Sequence, residues 1–357
     1  MHEEIYKRLG EVMAKRGGMY PGMDIPEFYD LARELFTPEE AAVSSALPSK
    51  PKTAKAMADD LGKDESEIKV TLEAMADKGL CRSFEMDGNQ YYAGSPFVPG
   101  IFEFQFMRGT CTDRDRRIAR VIHAYKQAVD KTRGPLTITF PPNRVIPVGE
   151  TIRSDAKVRT YSQVSSYVDR HDLIAVSTCF CRHEAKLLGE KDDCGMPNEV
   201  CMQFGLAAQF VIERGLGRKL AKEEARNTLK MAAEAGLVHA GLNTQELDFL
   251  CNCCPCHCMI LKRALSQPKP GKVLFSGFQP HMDPDLCTGC QTCADRCPAK
   301  AVTLIQDVPE IDTDRCFGCG VCAIGCPAGA IAMIEKPGLP EPPLNLKGLR
   351  EAMGPGA

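Results

Sequence analysis

The chain has 357 residues, of which 44% are hydrophobic, 25% charged and 6% aromatic, with no tryptophan, 19 cysteines and a formal net charge of -3. That length carries two or three ordinary domains, and the balance of apolar and charged residues excludes wholesale disorder. An odd number of cysteines in so long a chain excludes a fully paired secreted disulfide scaffold, and the slight negative charge gives no support to a nucleic-acid partner.

The sequence begins MHEEIYKRLGEV, charged throughout, without the basic and then apolar order of a secretory leader. Among its long uncharged stretches are 200–212, too short for a bilayer, and 316–334, broken by Gly318, Gly320, Gly325, Pro327 and Gly329. No membrane span is expected. A cytoplasmic, reduced protein is, with thiols free to take metal.

In chain order, Ile5, Leu9, Val12 and Met13 form one helical stripe and Phe28, Leu31 and Leu35 a second, separated by Gly17, Gly18, Pro21 and Gly22. Thr37-Pro38-Glu39-Glu40 has the form of a capped helix start. Helices are expected over 41–47, 53–61 and 65–78, the last carrying Ile68, Leu72 and Met75 and ending at Gly79. In LCRSFEMDGNQYYAG, Asp87-Gly88 between strand-like flanks reads as a hairpin turn. Three helices followed by a two-stranded wing resemble a winged helix-turn-helix over 41–97. That resemblance implies DNA binding, but residues 36–99 hold seven Lys and Arg against eleven Asp and Glu, and Glu65, Glu67, Glu73 and Asp77 make the presumed recognition helix acidic. Phosphate neutralisation supplies most non-specific affinity, so a docking or regulatory role is favoured and DNA is not the expected partner.

A helix over 108–131 carries Arg114, Arg116, Arg117 and Arg120 beside an apolar stripe of Ile118, Val121, Ile122 and Tyr125. It reads as a linker helix with a solvated face or as a docking surface for an acidic redox partner. Extended structure follows over 135–147, with TITF and RVIPV as short strands.

An amphipathic helix over 161–170 leads into Leu173-Ile174-Ala175-Val176, read as a buried strand. At its end stand Cys179 and Cys181, then Cys194, then Cys201, expected to open a helix through Phe204, Leu206, Ala207, Phe210 and Val211. A helix over 222–235 stops at Gly236, and Cys251, Cys253, Cys254, Cys256 and Cys258 crowd the segment beyond. These nine thiols, too many for one four-ligand site, are a candidate set for one or two further metal centres, with one or two members left unligated. Individual ligands stay open, because a Cys-x-Cys pair shares a face on a strand but not on a helix. Iron-sulfur is favoured over zinc by the company of the next segment. His183 and His257 are read as supporting or solvent-facing groups rather than ligands. Cys179-x-Cys181-Arg182 answered by Cys251-Asn252-Cys253-Cys254 resembles an uncharacterised group of bacterial and archaeal 4Fe-4S proteins over about 143–334, a likeness that brings no assigned reaction.

The strongest pattern is Cys287-x-x-Cys290-x-x-Cys293-x-x-x-Cys297-Pro298, repeated twenty-nine positions later as Cys316-x-x-Cys319-x-x-Cys322-x-x-x-Cys326-Pro327. The two-residue spacing lets one tight loop supply three thiolates to a cube, and the duplication resembles the bacterial two-cluster ferredoxins. In that family the fourth cysteine of each run crosses to the other cluster. The resemblance implies one [4Fe-4S] cluster on Cys287, Cys290, Cys293 and Cys326 and a second on Cys316, Cys319, Cys322 and Cys297. Strands are expected over 301–304, 309–312 and 330–334. Cys81 and Cys111, far from both groups in sequence, read as ordinary thiols.

The fold class expected is α+β and multidomain: N-terminal helices and a winged-helix-like domain (1–100), a linker helix (101–135), a cysteine-rich α/β middle domain (136–270), the ferredoxin-type domain (271–336) and a flexible tail (337–357) with a turn over 346–353. No phosphate-binding glycine loop, nucleophile elbow or zinc-protease histidine pair is present. The expected function is electron transfer in an anaerobic redox system, as a carrier or subunit rather than a stand-alone catalyst. Its cofactors would be two [4Fe-4S] clusters with an additional iron-sulfur cluster or zinc in the middle domain, and its partners redox proteins. The alternatives are a redox-responsive DNA-binding regulator and a ferredoxin-fed oxidoreductase whose middle cluster keeps an open iron.

Overall fold

The computed structural model describes residues 2–132, 140–152, 162–190 and 194–354. The chain divides into two compact units, one of residues 1–136, 183–191 and 209–218, the other of residues 137–182, 192–208 and 219–357.

The first unit is built from α1 (His2–Arg16), α2 (Pro26–Leu35), α3 (Pro38–Ala46), α4 (Ala54–Leu61), α5 (Glu65–Asp77), the hairpin β1 (Cys81–Met86) and β2 (Asn89–Gly94), α6 (Phe102–Phe106) and α7 (Asp113–Thr132). Local chemistry sets the helix starts. Thr37 and Glu40 form a reciprocal capping box on α3, Thr53 caps α4, and the Asp64 carboxylate accepts from the Ser66 and Glu67 amides at the start of α5. Asp87 and Gly88 take positive φ, the turn that a two-residue hairpin requires. Phe28, Phe97, Phe102 and Tyr125 meet in an aromatic core, the Phe97 and Phe102 rings stacked at 4.8 Å. Arg16 lies buried beside it. It donates to the Ser44 carbonyl at 2.6 Å and the Leu47 carbonyl at 2.9 Å, and burial lowers its pKa to about 10.

The α5 carboxylates are engaged within this unit. Arg214 pairs with Glu73 at 2.7 Å and Asp77 at 2.9 Å, and donates to the Ser83 hydroxyl at 2.9 Å. Cys81 is buried, its thiol pushed up to about 12 by burial, while Cys111 is exposed.

The chain continues through β3 (Asn143–Val145), α8 (Val164–Arg170), β4 (Ile174–Thr178), α9 (Phe180–Leu187), β5 (Glu199–Phe204), α10 (Gly205–Glu213), β6 (Arg218–Lys219), α11 (Lys222–Glu234), β7 (Val238–Leu242), β8 (Phe249–Cys253), α12 (Met259–Leu265) and α13 (Pro270–Val273). A six-stranded sheet has the order β3-β7-β8-β5-β4-β6, and its β3–β7, β7–β8, β8–β5 and β5–β4 pairs are antiparallel. Ile174, Val176, Met202, Phe204 and Leu250 bury their side chains against Tyr167 and Val168 of α8 and Leu229 of α11.

The last part of the second unit holds β9 (Phe278–Met282), α14 (Thr292–Arg296), the hairpin β10 (Val302–Ile305) and β11 (Val308–Ile311), α15 (Val321–Ile324), β12 (Ile331–Glu335) and α16 (Leu346–Met353). β9 pairs antiparallel with β12. The twenty-nine-residue repeat is visible in the backbone: Gly289 and Gly318, Gln291 and Gly320, and Lys300 and Gly329 all take positive φ at equivalent places. Among the described residues no helix is long and apolar enough to cross a membrane.

Two local expectations change. Cys201 lies inside β5 opposite Ser177, because pairing with β4 and β8 holds it in the sheet, and the helix begins only at Gly205. The strand β9 was not anticipated. Most of TITF, and Tyr161 at the start of the helix before β4, lie outside the described residues.

Candidate metal centres

Adjacent strands bring the middle cysteines together. On β8, Cys251 and Cys253 are two residues apart and share a face of the sheet, while the intervening Asn252 faces the other side. There its amide donates to the Val200 carbonyl at 2.6 Å and its oxygen meets His239 Nδ1 at 2.5 Å, tying β8 to both neighbouring strands. Cys201 on β5 hydrogen-bonds Cys251. Cys179 at the end of β4, Cys181 in the first turn of α9 and Cys258 at the cap of α12 complete the group.

These six sulfurs follow one another as Cys179, Cys181, Cys258, Cys253, Cys251 and Cys201, each hydrogen-bonded to the next. Cys201 and Cys179 feel one another's charge, which closes the ring. Acceptors and donors alternate around it. Hydrogen bonds from Cys181, from Cys201 and Cys253, and from Cys181 and Cys253 respectively hold the thiols of Cys179, Cys251 and Cys258 below the usual range. The donating Cys181, Cys253 and Cys201 are held above it, by those same bonds first and by burial second. Six thiolates side by side, Cys253 and Cys258 of them buried, would repel one another strongly, so a fully ionised ring requires a polycation at its centre. The residue types suit a thiophilic metal or an iron-sulfur cluster.

The remaining three cysteines form a different arrangement. Donor atoms of Cys194, Cys254, Cys256 and His257 all lie within 4.8 Å of one another, and Cys254 Sγ is 3.8 Å from His257 Nδ1. His257 therefore stands beside these sulfurs. The Cys254-x-Cys256-His257 turn after β8 folds all three donors toward the loop before β5. His183 stands elsewhere: buried in the first unit, its Nε2 lies 2.7 Å from the Thr110 carbonyl.

Arg182 is buried at 6% exposure and donates to the carbonyls of Pro197 at 2.6 Å and Asn252 at 3.3 Å. It also hydrogen-bonds the Cys254 sulfur. Burial opposes its charge, but the surrounding thiols of Cys179, Cys254 and Cys194 more than offset this and raise its pKa.

In the duplicated runs, Cys297 from the first run meets Cys316, Cys319 and Cys322 from the second around one cavity, also lined by Pro298 and Phe317. Burial pushes the Cys319 thiol well up and that of Cys322 up to about 12, with mutual repulsion among the sulfurs adding to the shift. Cys287, Cys290 and Cys293 lie near one another, and Cys326 packs into the same apolar cluster as Cys293. Backbone amides reach the sulfurs: Ala301 N–H donates to Cys297 at 3.2 Å and Gly318 N–H to Cys316 at 3.4 Å. Such bonds stabilise charge on sulfur and tune a cluster's potential.

A single apolar cluster contains Cys253 and Cys258 of the ring together with Cys297, Phe317 and Val321, and Cys251, Cys316 and Cys319 pack against it. The ring thus shares a core with Cys297, Cys316 and Cys319 of the duplicated runs.

No curated protein and no solved structure matches the chain. Residues 286–331 match the family model described as a 4Fe-4S dicluster domain, and a domain of this kind binds iron-sulfur clusters.

Proposed function

We propose that the protein is an iron-sulfur electron carrier, or the electron-transferring subunit of an anaerobic redox system, with two [4Fe-4S] clusters in its C-terminal module and a further iron-sulfur cluster on the six-thiol ring. In this reading Cys287, Cys290, Cys293 and Cys326 hold one cluster and Cys316, Cys319, Cys322 and Cys297 the other. The observation that carries it is Cys297 lining one cavity with three cysteines of the other run, the crossover that two-cluster modules require. A [4Fe-4S] cube bound by four thiolates takes up and releases one electron. The chain's own part is to fix the thiolates, exclude water and supply amide donors to sulfur.

The core common to the ring and the module favours a relay, since densely packed side chains join the two sites. Six thiols exceed the four of an ordinary cube, so nothing favours an open iron there. Redox proteins are the partners this reading requires, and Arg116, Arg117 and Arg120, exposed on α7, suit an acidic one. DNA binding is disfavoured, because α5 carries Glu65, Glu67, Glu73 and Asp77 against Lys69 alone and offers no cationic face.

The test is iron and sulfide analysis with electron paramagnetic resonance of anaerobically purified, reduced protein. About twelve irons per chain are expected, roughly eight of them in the C-terminal module. Cys297→Ser should alter the cluster of the second run, and Cys290→Ser that of the first. Fewer than about eight irons, or a Cys297→Ser change confined to the cluster of its own run, would overturn the assignment.

A further inference from the structure

The nine middle cysteines divide by geometry into two kinds of group. Among the described residues no three of the six ring sulfurs lie within 4.8 Å of one another, so the ring encloses a volume. The donors of Cys194, Cys254, Cys256 and His257 are instead all mutually close, within 4.8 Å, and enclose a point. The duplicated runs, which match an iron-sulfur family, likewise lack a mutually close set among the described residues. A cube needs its thiolates at separate corners, each on its own iron, whereas a single ion draws its donors into mutual contact.

We infer that Cys194, Cys254, Cys256 and His257 form a separate four-coordinate site for one zinc ion, distinct from the iron-sulfur centres. Around a tetrahedral zinc with ordinary sulfur and nitrogen bond lengths, donor atoms stand about 3.7 Å apart. The separation of 3.8 Å between Cys254 Sγ and His257 Nδ1 already meets that value, and no pair needs to close by more than roughly an ångström. Three thiolates and one imidazole form a closed structural donor set with no position left for substrate. Two further features fit the ion. Three thiolates leave a zinc site with one net negative charge, and the buried Arg182 guanidinium, hydrogen-bonded to Cys254, lies there to balance it. Cys194 precedes β5 and Cys254 follows β8, which are neighbours in the sheet, so an ion at this point clips together the two segments that carry Cys201, Cys251 and Cys253. The zinc would hold the ring in shape and carry no electrons.

The test is metal analysis of the full chain, purified anaerobically and treated with a chelator that strips only loosely held metal. One zinc per chain is expected beside the iron. Cys256→Ser and His257→Ala should each lose that zinc while the iron of the C-terminal module, measured by its resonance signal, stays unchanged and reports that the chain has folded. His257→Cys should restore zinc by supplying a fourth thiolate. Cys201→Ser, in the ring, should keep zinc and lose iron. Replacement by cobalt should give the intense visible bands of a tetrahedral ion with thiolate ligands, weakened in Cys256→Ser. Absence of zinc from the unmodified protein, or a loss of iron in Cys256→Ser equal to that in Cys201→Ser, would overturn the inference. An iron-free ring with zinc still present would count against the relay alone, so the two readings fail separately.

Discussion

Arg182 donates through Nη1 to the carbonyl of Asn252 at 3.3 Å, joining the two cysteine motifs seventy residues apart. The guanidinium is buried and makes further bonds to the Pro197 carbonyl and the Asn198 side-chain oxygen. Arg182→Met keeps the volume and removes the charge and donors. It should cost about 3 kcal/mol, because buried acceptors are left unpaired. Iron outside the C-terminal module should be released faster to a chelator, with the module's own spectrum unchanged.

His239 gives a pH dependence of definite sign. Burial lowers its pKa to about 4, despite the opposing bond to Asn252. In the unfolded chain the imidazole titrates near its ordinary value of about 6.5. Between these values the unfolded state binds the extra proton, so stability is complete above about pH 6.5 and falls as the pH drops toward 4. The loss between pH 7 and pH 5 should be about 2 kcal/mol. Nuclear magnetic resonance of the ring should show a neutral imidazole at pH 5.5, and His239→Gln should flatten the stability profile.

Gly318 has φ +70, and a Cβ there would stand 2.1 Å from the Phe278 carbonyl oxygen and 2.5 Å from Ser276 Oγ. The loop therefore closes only with glycine at this place. Gly318→Ala should displace Cys316 and Cys319 and lose about four irons per chain, leaving the first run's cluster intact. Gly289, at the equivalent place in the repeat, would meet the Asp307 Cβ at 3.0 Å, so Gly289→Ala should be milder.

Arg214→Ala removes the pair with Glu73, the weaker pair with exposed Asp77 and the bond to Ser83. The expected cost is about 2 kcal/mol, mostly from the buried end. Hydrogen exchange of the α5 and β1 amides should quicken, while iron content stays the same.

Much of the local architecture was legible. The capping box of Thr37 and Glu40 and the Asp87-Gly88 turn place elements of the first unit within a few residues, because caps and turns are short-range chemistry. Leu173 to Val176 could be read as a buried strand from its continuous apolar run. Cys201 could not be placed, since the apolar run that follows it reads equally as helix and only pairing with β4 and β8 decides. Arg16 gave no signal at all, because nothing local marks an arginine whose partners are carbonyls about thirty residues away.

The sequence alone determined the cluster chemistry of the C-terminal module, because thiolate spacing within a single loop is a local property and the repeat states it twice. Tertiary structure decided how the other nine cysteines divide. Their sorting into a ring and a compact quartet depends on which strands lie side by side and on which face of β8 each side chain leaves. Neither can be read from spacing, since the residues that meet are separated by up to seventy-seven positions and are brought together only by the packed sheet.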